Sequence, residues 1–177
     1  MSVCLFIVGE PGVGKTTLAR RFVEPDSYLV QTPKWTVGER VCAAGHYTGS
    51  TFDGADTVPY GGVKAALDFY EKELTSKPLT VFDGDRFSYQ AVIDRLVAME
   101  EVERVACVLL KLSERAAQER RDARGSKQNA AWVKGRKTKA ERFAGMFDNK
   151  TACLPIHCGL TTTAESLESI IRGHFKI

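Results

Sequence analysis

The segment from Gly9 to Thr16, GEPGVGKT, has residue types and a spacing that suit phosphate binding. It fits the pattern G-x-x-x-x-G-K-[ST] at every defined position. Glycines let the backbone curl so that its N–H groups point at phosphate oxygens, a lysine reaches the β- and γ-phosphates, and a hydroxyl ligates Mg²⁺. We therefore expect Lys15 and Thr16 to serve the phosphates and the metal of a bound nucleotide. The predicted nucleotide contacts are Gly9, Pro11, Gly12, Val13, Gly14, Lys15, Thr16 and Thr17.

A second chemical cluster follows an apolar run at 79–82, where the chain reads Asp83-Gly84-Asp85-Arg86. Ligands of an open parallel sheet bind at the carboxyl ends of its strands, so we expect this cluster beside the phosphate loop. Asp83 is the candidate for the metal shell, directly or through water, or for the base that accepts a proton from an attacking hydroxyl. Asp85 is the second candidate for either role. The guanidinium fork of Arg86 could grip an acceptor or the transferred phosphoryl group.

Positive charge is concentrated in one strip of the sequence. Residues 111–142 contain eleven Lys or Arg against four Asp or Glu, whereas the whole chain has a net charge of only +3. Such a strip favours an anionic partner. Within it, Arg120 and Arg124 lie four residues apart on one predicted helix face, where they could clamp phosphates. A basic loop between Gly125 and Gly135 extends this helix, so we expect an Arg-rich lid at about 120–139 that excludes water and stabilises transferred charge.

Other residues are candidates for contacts to an acceptor. Trp35 and Trp132 could stack on a base, although packing in the protein is an equally good interpretation of either ring. The polar insertion at about 31–62 contributes Tyr47, Asp53, Asp56 and Tyr60. The three histidines do not cluster and are assigned no chemistry. The predicted substrate-binding residues are Trp35, Asp53, Arg86, Arg121, Lys127, Gln128, Trp132, Lys134 and Arg136.

These clusters need a scaffold of alternating strands and helices. The run at 3–8 is apolar without alternation, which is typical of a strand buried on both faces of a parallel sheet. We expect a mostly parallel, five-stranded α/β sheet with helices on both faces. The predicted strands are 3–8, 27–31, 79–82, 105–110 and 152–156, with 41–48 as a further candidate. The predicted helices are 16–23, 62–75, 89–99, 113–123, 137–146 and 163–172, with Ser113 and Thr163 at two helix starts.

Composition indicates one globular domain over 1–177. The chain has 177 residues, of which 44% are hydrophobic and 27% charged, and it contains no internal repeat or long linker. No apolar run approaches the ~18 residues of a membrane span, and the run at 3–8 lacks the basic flank of a signal peptide. We expect a cytoplasmic protein with no membrane association and predict no protein partner. Five cysteines without a C-x-x-C pair argue against a zinc site or a disulfide framework.

With these motifs in place, the chain resembles the P-loop nucleoside and nucleotide kinases, especially thymidylate-kinase-like enzymes. The resemblance rests on the phosphate loop, on the pair Asp85-Arg86 after the third strand, and on the arginines of 120–124, in that order along most of the chain. It implies a three-layer sandwich and an ATP- and Mg²⁺-dependent phosphotransferase. The catalytic residues are then expected to be Lys15, Asp83, Asp85, Arg120 and Arg124, with Thr16 and Asp83 at the metal.

A narrower likeness is to small phage kinases that phosphorylate the hydroxymethyl group of 5-hydroxymethyluracil in DNA, a step in thymine hypermodification. The segment 124–139, with Gln128-Asn129 and the run from Trp132 to Arg136, is the similar part. This likeness implies DNA containing a modified thymine as the partner and an infected bacterial cytoplasm as the location. It also accounts for the basic strip, because a polymer substrate offers backbone phosphates beyond its acceptor group.

Two alternatives remain open at this point. A free deoxynucleoside or deoxynucleoside monophosphate could be the acceptor, although Gln31-Thr32-Pro33 stands where the thymidylate enzymes carry an acidic residue and a proline after the second strand. A nucleotide-binding switch shares the phosphate loop. It also needs a base-reading Asn-Lys-x-Asp, whereas this chain has Asn149-Lys150-Thr151-Ala152. The motifs therefore favour a kinase.

Overall fold

A computed structural model of the protein describes residues 1–50, 52–123, 129–147, 152–159 and 161–177, and only the backbone of Arg121. Within these residues, seven strands form one sheet in the order β2-β3-β4-β5-β1-β6-β7. The strands are β1 (Ser2–Gly9), β2 (Tyr28–Gln31), β3 (Lys34–Val37), β4 (Val41–Ala44), β5 (Leu79–Asp83), β6 (Val102–Leu112) and β7 (Ala152–Cys158). The helices are α1 (Lys15–Phe22), α2 (Val63–Phe69), α3 (Gln90–Val97), α4 (Glu114–Ala123), α5 (Ala130–Ala144) and α6 (Ala164–Phe175).

The middle of the sheet is parallel, as the sequence predicted. β1 pairs in parallel with β5 and β6, while β4 and β7 extend the parallel block on either side. The carboxyl ends of these strands therefore meet at one edge of the sheet, where the phosphate loop follows β1 and Asp83 ends β5. This shared edge is the reason that two clusters so distant in the sequence form one site.

Helices cover both faces of the sheet and give the predicted three layers. Side chains of β1 alternate between the two cores: Cys4, Phe6 and Val8 face one, and Leu5 and Ile7 the other. The first core also contains α2, α3 and α5, and the second contains α1, α4 and α6. All five of these β1 side chains are at most 1% exposed, which explains the unbroken apolar run at 3–8.

The sheet has seven strands rather than the predicted five, because the insertion at 31–62 adds β3 and because the further candidate at 41–48 does form a strand, β4. The segment 27–31 is not the parallel neighbour of β5. It forms the edge strand β2, paired antiparallel with β3, and β3 is antiparallel to β4. The small apolar residues of β4, Val-Cys-Ala-Ala, occupy the inner position beside β5 instead, with Val41 opposite Leu79. Gln31-Thr32-Pro33 is thus at an edge turn, and the loop that reaches the site is 45–62.

The predicted basic loop of the lid is also helical over its described part. α5 begins at Ala130 rather than near 137, because the Asn129 side chain caps it by accepting a 2.8 Å hydrogen bond from the N–H of Trp132. Val133, Ala140 and Phe143 are buried, so one face of α5 packs against the sheet. The basic residues of the strip from Lys134 to Arg142 are therefore held on a packed helix.

Both predicted helix starts are confirmed. The hydroxyl of Ser113 accepts from the N–H of Ala116, and that of Thr163 accepts from the N–H of Ser166. Among the described residues, no helix is long and apolar enough to cross a lipid bilayer.

Candidate active site

The phosphate loop joins β1 to α1 through a backbone that only glycine adopts easily. Gly12 has φ +92° and Gly14 has φ +102°, both in the left-handed region. No side chain caps the N-terminus of α1, and its first turn contains no acidic residue. The N–H groups and the positive end of the helix dipole are thus left to an anion. Lys15 donates a 2.9 Å hydrogen bond to the carbonyl of Glu10, which holds its ammonium at the same loop.

Asp83 contacts the loop directly and is fixed by three donors. Its Oδ2 accepts from the hydroxyl of Thr16 at 2.7 Å, and its Oδ1 accepts from the hydroxyl of Tyr47 at 2.7 Å and from the N–H of Ala55 at 2.8 Å. Burial and the nearby Asp83 carboxylate raise the pKa of Tyr47 well above its ordinary value, so Tyr47 remains a neutral donor. The carboxylate of Asp83 is 5% exposed and cannot turn freely.

Gly54 allows the insertion to approach Asp83. Its φ is +77°, and a Cβ at this position would lie 2.5 Å from Oδ1 of Asp83. A side chain here would push the loop away from the carboxylate and break the Ala55 hydrogen bond. Gly54 therefore belongs to the site through its lack of a side chain.

Asp53 organises the loop beside this carboxylate. It accepts a 2.7 Å hydrogen bond from Arg20, and others from Thr48, Gly49 and Ser50. Burial alone would raise the pKa of Asp53, but these donors outweigh it and hold the pKa well below its usual range. Asp53 was predicted to contact an acceptor. It does line the site cavity. Because both of its oxygens accept from the chain's own donors, its main role in this structure is to stabilise the conformation of the insertion.

Asp85 lies at the wall that α5 provides. Its Oδ2 accepts a hydrogen bond from Arg136, and Lys139 approaches its backbone oxygen at 3.2 Å and its Oδ2 at 3.5 Å. The strip thus reaches the site through Arg136 and Lys139. The same arrangement ties the position of α5 to the end of β5.

Arg86 is buried yet incompletely paired. It is 9% exposed, its guanidinium carbon lies 3.7 Å from the centre of the Tyr60 ring, and its Nη2 donates to the backbone oxygen of Asp56 at 3.4 Å. Within the described residues, its Nε and Nη1 have no hydrogen-bond partner. Unpaired buried donors are costly, so they point to a ligand that accepts from them.

These groups line one cavity of about 730 Å³, a size usual for small-molecule sites. Three aromatic side chains at its wall are unusually exposed: Phe52 at 82%, Tyr60 at 74% and Trp132 at 39%. The guanidinium of Arg136 lies 5.1 Å from the centre of the Trp132 ring. A hydrogen bond from Arg136 and the charge of Arg86 lower the pKa of Tyr60. The cavity therefore combines positive charge with stacking surfaces.

Arg120, predicted as one arm of a phosphate clamp, lies at the phosphate loop and contacts backbone carbonyls. Its Nη1 donates to the carbonyl of Val13 at 3.1 Å, and its Nη2 donates to that of Gly159 at 3.3 Å. It thus joins the phosphate loop to the loop after β7. Its catalytic role stays a prediction. The predictions for Arg124, Lys127 and Gln128 lie outside the described residues, and the side chain of Arg121 is likewise not described.

Three predicted acceptor contacts, Trp35, Tyr47 and Lys134, do not line the cavity. Trp35 is wrong as a stacking surface, because it is fully buried in β3 and stacks on Tyr70 with ring centres 5.7 Å apart. Lys134 does not line the cavity that contains the phosphate loop, whereas Trp132 and Arg136 do. The helical spacing of α5 separates them, since Trp132 and Arg136 are four residues apart and Lys134 lies between them on another face.

The sequence reading missed Arg20, Phe52 and Gly54 as site residues. Arg20 could have been predicted, because it lies four residues after Thr16 and therefore on the same face of α1. Gly54 could not have been predicted in this way, since its contact with Asp83 depends on how β4 pairs with β5.

Comparisons with known proteins agree with this fold and this loop. The model of a family described as P-loop Nucleotide Kinase3 matches residues 2–174. No curated protein matches the chain. Among solved structures, an unliganded sugar kinase from Janibacter sp. HTCC2649 is similar with a TM-score of 0.54 and 13% sequence identity, over 100% of this chain and 96% of that one. At this identity the likeness shows a shared fold.

Proposed function

The chain belongs to the P-loop Nucleotide Kinase3 family, and we propose that it is an ATP-dependent phosphotransferase that moves the γ-phosphate to a hydroxyl. We further propose that this hydroxyl is the 5-hydroxymethyl group of 5-hydroxymethyluracil in phage DNA, a step toward hypermodified thymine. One observation carries the proposal. The cavity that contains the phosphate loop and the Thr16–Asp83 hydrogen bond also contains Arg86, whose Nε and Nη1 have no partner among the described residues.

The donor set suits Mg²⁺ and a nucleoside triphosphate. Mg²⁺ takes few protein ligands, prefers hard oxygens and is completed by phosphates and water. Thr16 and Asp83 offer a hydroxyl and a carboxylate 2.7 Å apart at the start of α1. Thr16 would hold the ion and Asp83 would orient it, directly or through water. When bound, the ion would neutralise charge on the β- and γ-phosphates.

The chain's own residues supply positioning and charge. The loop amides and Lys15 would hold the phosphates, because phosphoryl transfer is catalysed chiefly by orientation and electrostatic stabilisation. Asp83 already accepts from Thr16, Tyr47 and Ala55 and is assigned to the metal, so we assign the acceptor hydroxyl's proton to the second carboxylate, Asp85. Asp85 would accept that proton as its hydrogen bond to Arg136 rearranges.

Two features support a base within DNA as the acceptor. Phe52, Tyr60 and Trp132 expose aromatic surface at the cavity, where an unstacked base could lie. α5 adds Lys134, Arg136, Lys139 and Arg142, and its single acidic residue is Glu141, which favours a polyanion.

A free deoxynucleoside or its monophosphate is the second candidate. The guanidinium of Arg86 lines the cavity and would also suit the 5′-phosphate of a mononucleotide, because it is a fixed positive charge that donates hydrogen bonds to phosphate oxygens. The edge position of Gln31-Thr32-Pro33 removes the sequence argument against such an acceptor, since this segment does not reach the cavity.

The test is a transfer assay with γ-labelled ATP and Mg²⁺. The acceptors are thymidine, thymidylate, 5-hydroxymethyldeoxyuridine, its monophosphate, and DNA with and without 5-hydroxymethyluracil. We expect label only on DNA that contains 5-hydroxymethyluracil. Label on a free nucleoside or monophosphate would retain the phosphotransferase and overturn the DNA acceptor. Binding of ATP without transfer to any acceptor would favour a nucleotide-dependent switch instead.

A further inference from the structure

A second cavity of about 620 Å³ lies between α5 and the start of α3. It is lined on α5 by residues at helical spacing, including Lys134, Lys139 and Arg142, and on the other side by Ser88 and Tyr89. We call it the α3–α5 groove. None of its described lining residues is Asp or Glu. Three cations without a lining acid give it the charge of an anion-binding surface.

The groove adjoins the active-site cavity. Ser88 lines both. Lys139 lines the groove, and its ammonium lies 3.2 Å from the backbone oxygen of Asp85, which lines the active site. The groove therefore lies next to the active site, across the contact between Lys139 and Asp85.

The two outer cations of the groove are available to a ligand. Lys134 and Arg142 are both exposed, and neither forms an ion pair with another described residue. They lie eight residues apart on α5, or about 12 Å along the helix axis. One strand of nucleic acid carries a phosphate for about every 3.4 Å of duplex length, so this span exceeds one phosphate spacing.

The lining of the groove is also partly apolar and aromatic. Phe143 is buried beneath it, Met146 is 41% exposed and Tyr89 is 45% exposed. The ammonium of Lys139 lies 4.5 Å from the centre of the Tyr89 ring. A positively charged groove with aromatic surface is the usual arrangement for an unpaired nucleic-acid strand.

We propose that the α3–α5 groove binds the single-stranded nucleotides that flank the acceptor base in DNA. The proposal rests on the proposed function, because it takes the acceptor to be part of a polymer. Lys134 and Arg142 would hold two non-adjacent backbone phosphates of the same strand, and a base of that strand would lie on Met146 and Tyr89. The groove would thereby distinguish a polymer from a free nucleotide with the same acceptor group.

The test measures binding, so that it does not depend on phosphoryl transfer. The probes are fluorescent single-stranded DNAs of one, three and eight nucleotides, and the readout is anisotropy over a series of salt concentrations. The variants are Lys134→Ala and the double variant Lys134→Ala/Arg142→Ala. Lys137→Ala is the matched control, because Lys137 is an exposed lysine of the same helix that lines neither cavity.

We expect wild-type affinity to rise with DNA length. For the eight-nucleotide DNA, the double variant should bind about tenfold more weakly, and each removed cation should lower the slope of log K against log[salt] by about 0.7. Lys137→Ala should match the wild type. Equal binding by the double variant, or an equal loss in Lys137→Ala, would overturn the proposal. Competition by polyglutamate as strong as by DNA would overturn it too, because the groove would then recognise charge alone.

The two proposals fail in different ways. If DNA binds with the expected dependence on Lys134 and Arg142 but receives no phosphate, the groove stands and the acceptor assignment is wrong. If DNA containing 5-hydroxymethyluracil is phosphorylated equally well by the wild type and the double variant at limiting DNA concentration, the acceptor assignment stands and the groove is overturned.

Discussion

The hydroxyl of Thr16 donates a 2.7 Å hydrogen bond to Oδ2 of Asp83, although 67 positions of sequence separate the two residues. The contact joins the start of α1 to the end of β5, which are neighbours only because β1 and β5 pair in parallel. It brings together the two oxygens that would serve a metal ion before any nucleotide binds. The site is therefore preorganised by the sheet.

Removal of the Thr16 hydroxyl should impair metal binding at the active site while the protein still folds. Thr16→Ala takes away a ligand oxygen and the donor to Asp83, so we expect kcat to fall by about 100-fold or more. Thr16→Ser keeps the hydroxyl and should retain most of the activity. Steady-state kinetics over a Mg²⁺ titration measure both. Wild-type kcat in Thr16→Ala at every Mg²⁺ concentration would remove Thr16 from the metal site.

We expect Arg86 to lower the free energy of unfolding of the protein and to be required for phosphoryl transfer. Its Nε and Nη1 are buried without partners among the described residues, so Arg86→Met fills the same space without unpaired donors. We expect a free energy of unfolding equal to that of the wild type or up to about 1 kcal/mol higher, together with loss of transfer. Chemical denaturation and the transfer assay measure the two effects.

Arg20→Met is the control for this substitution. Arg20 is paired with Asp53, so its replacement should lower the free energy of unfolding because Asp53 then loses a donor. If Arg86→Met is strongly destabilised, or transfers phosphate as well as the wild type does, the role given to Arg86 is wrong.

Gly54 and Gly49 form a matched pair for the approach of the insertion to Asp83. Both have positive φ, +77° and +84°, but a Cβ on Gly54 would meet Asp83 whereas one on Gly49 has nothing within 4 Å. Gly49→Ala should cost about 1 kcal/mol of backbone strain and leave kcat unchanged. Gly54→Ala should cost more and also lower kcat, because Asp83 must move. Equal effects on kcat would show that the contact does not matter.

Asp53 should make the stability of the protein depend on pH. Its pKa lies below its ordinary value in the folded state, so its contribution is complete above the ordinary pKa of about 3.9 and is lost as the pH falls below it. Asp53→Asn should lower the free energy of unfolding at pH 7 by about 1–3 kcal/mol. This deficit should shrink below about pH 4.

Denaturation curves from pH 7 to pH 3 measure this deficit. Asp26→Asn replaces an exposed carboxylate and is the control, for which we expect little change at any pH. A deficit for Asp53→Asn that is the same at pH 7 and pH 3 would contradict the role given to the Asp53 carboxylate.

The parts of the site that the sequence predicts are those held by local pattern. The phosphate loop follows a buried strand and precedes a helix, and this local context defines its shape. Asp83 follows a short apolar run, so its position at a strand end is equally local. The two lie at one edge because the carboxyl ends of parallel strands meet at the same edge of a sheet.

The parts that the sequence does not predict depend on pairing between distant segments. β4 rather than 27–31 lies beside β5, and this choice brings Tyr47 and Gly54 to Asp83. The residues before Trp35, a proline and a lysine, do not predict its burial. In the structure Trp35 lies on β3 and packs in the core against Tyr70. Strand order is decided by packing across the whole domain, which no local pattern records.

The most direct test of the account uses two DNA strands that differ only in having thymine or 5-hydroxymethyluracil at one position. Each is incubated with γ-labelled ATP, Mg²⁺ and either the wild type or Lys15→Ala, then digested to mononucleotides without a phosphatase to locate the label. We predict label on the hydroxymethyl group with the wild type alone, and a Lys15→Ala variant that is folded but inactive. No label on the 5-hydroxymethyluracil strand, or full labelling by Lys15→Ala, would contradict the account.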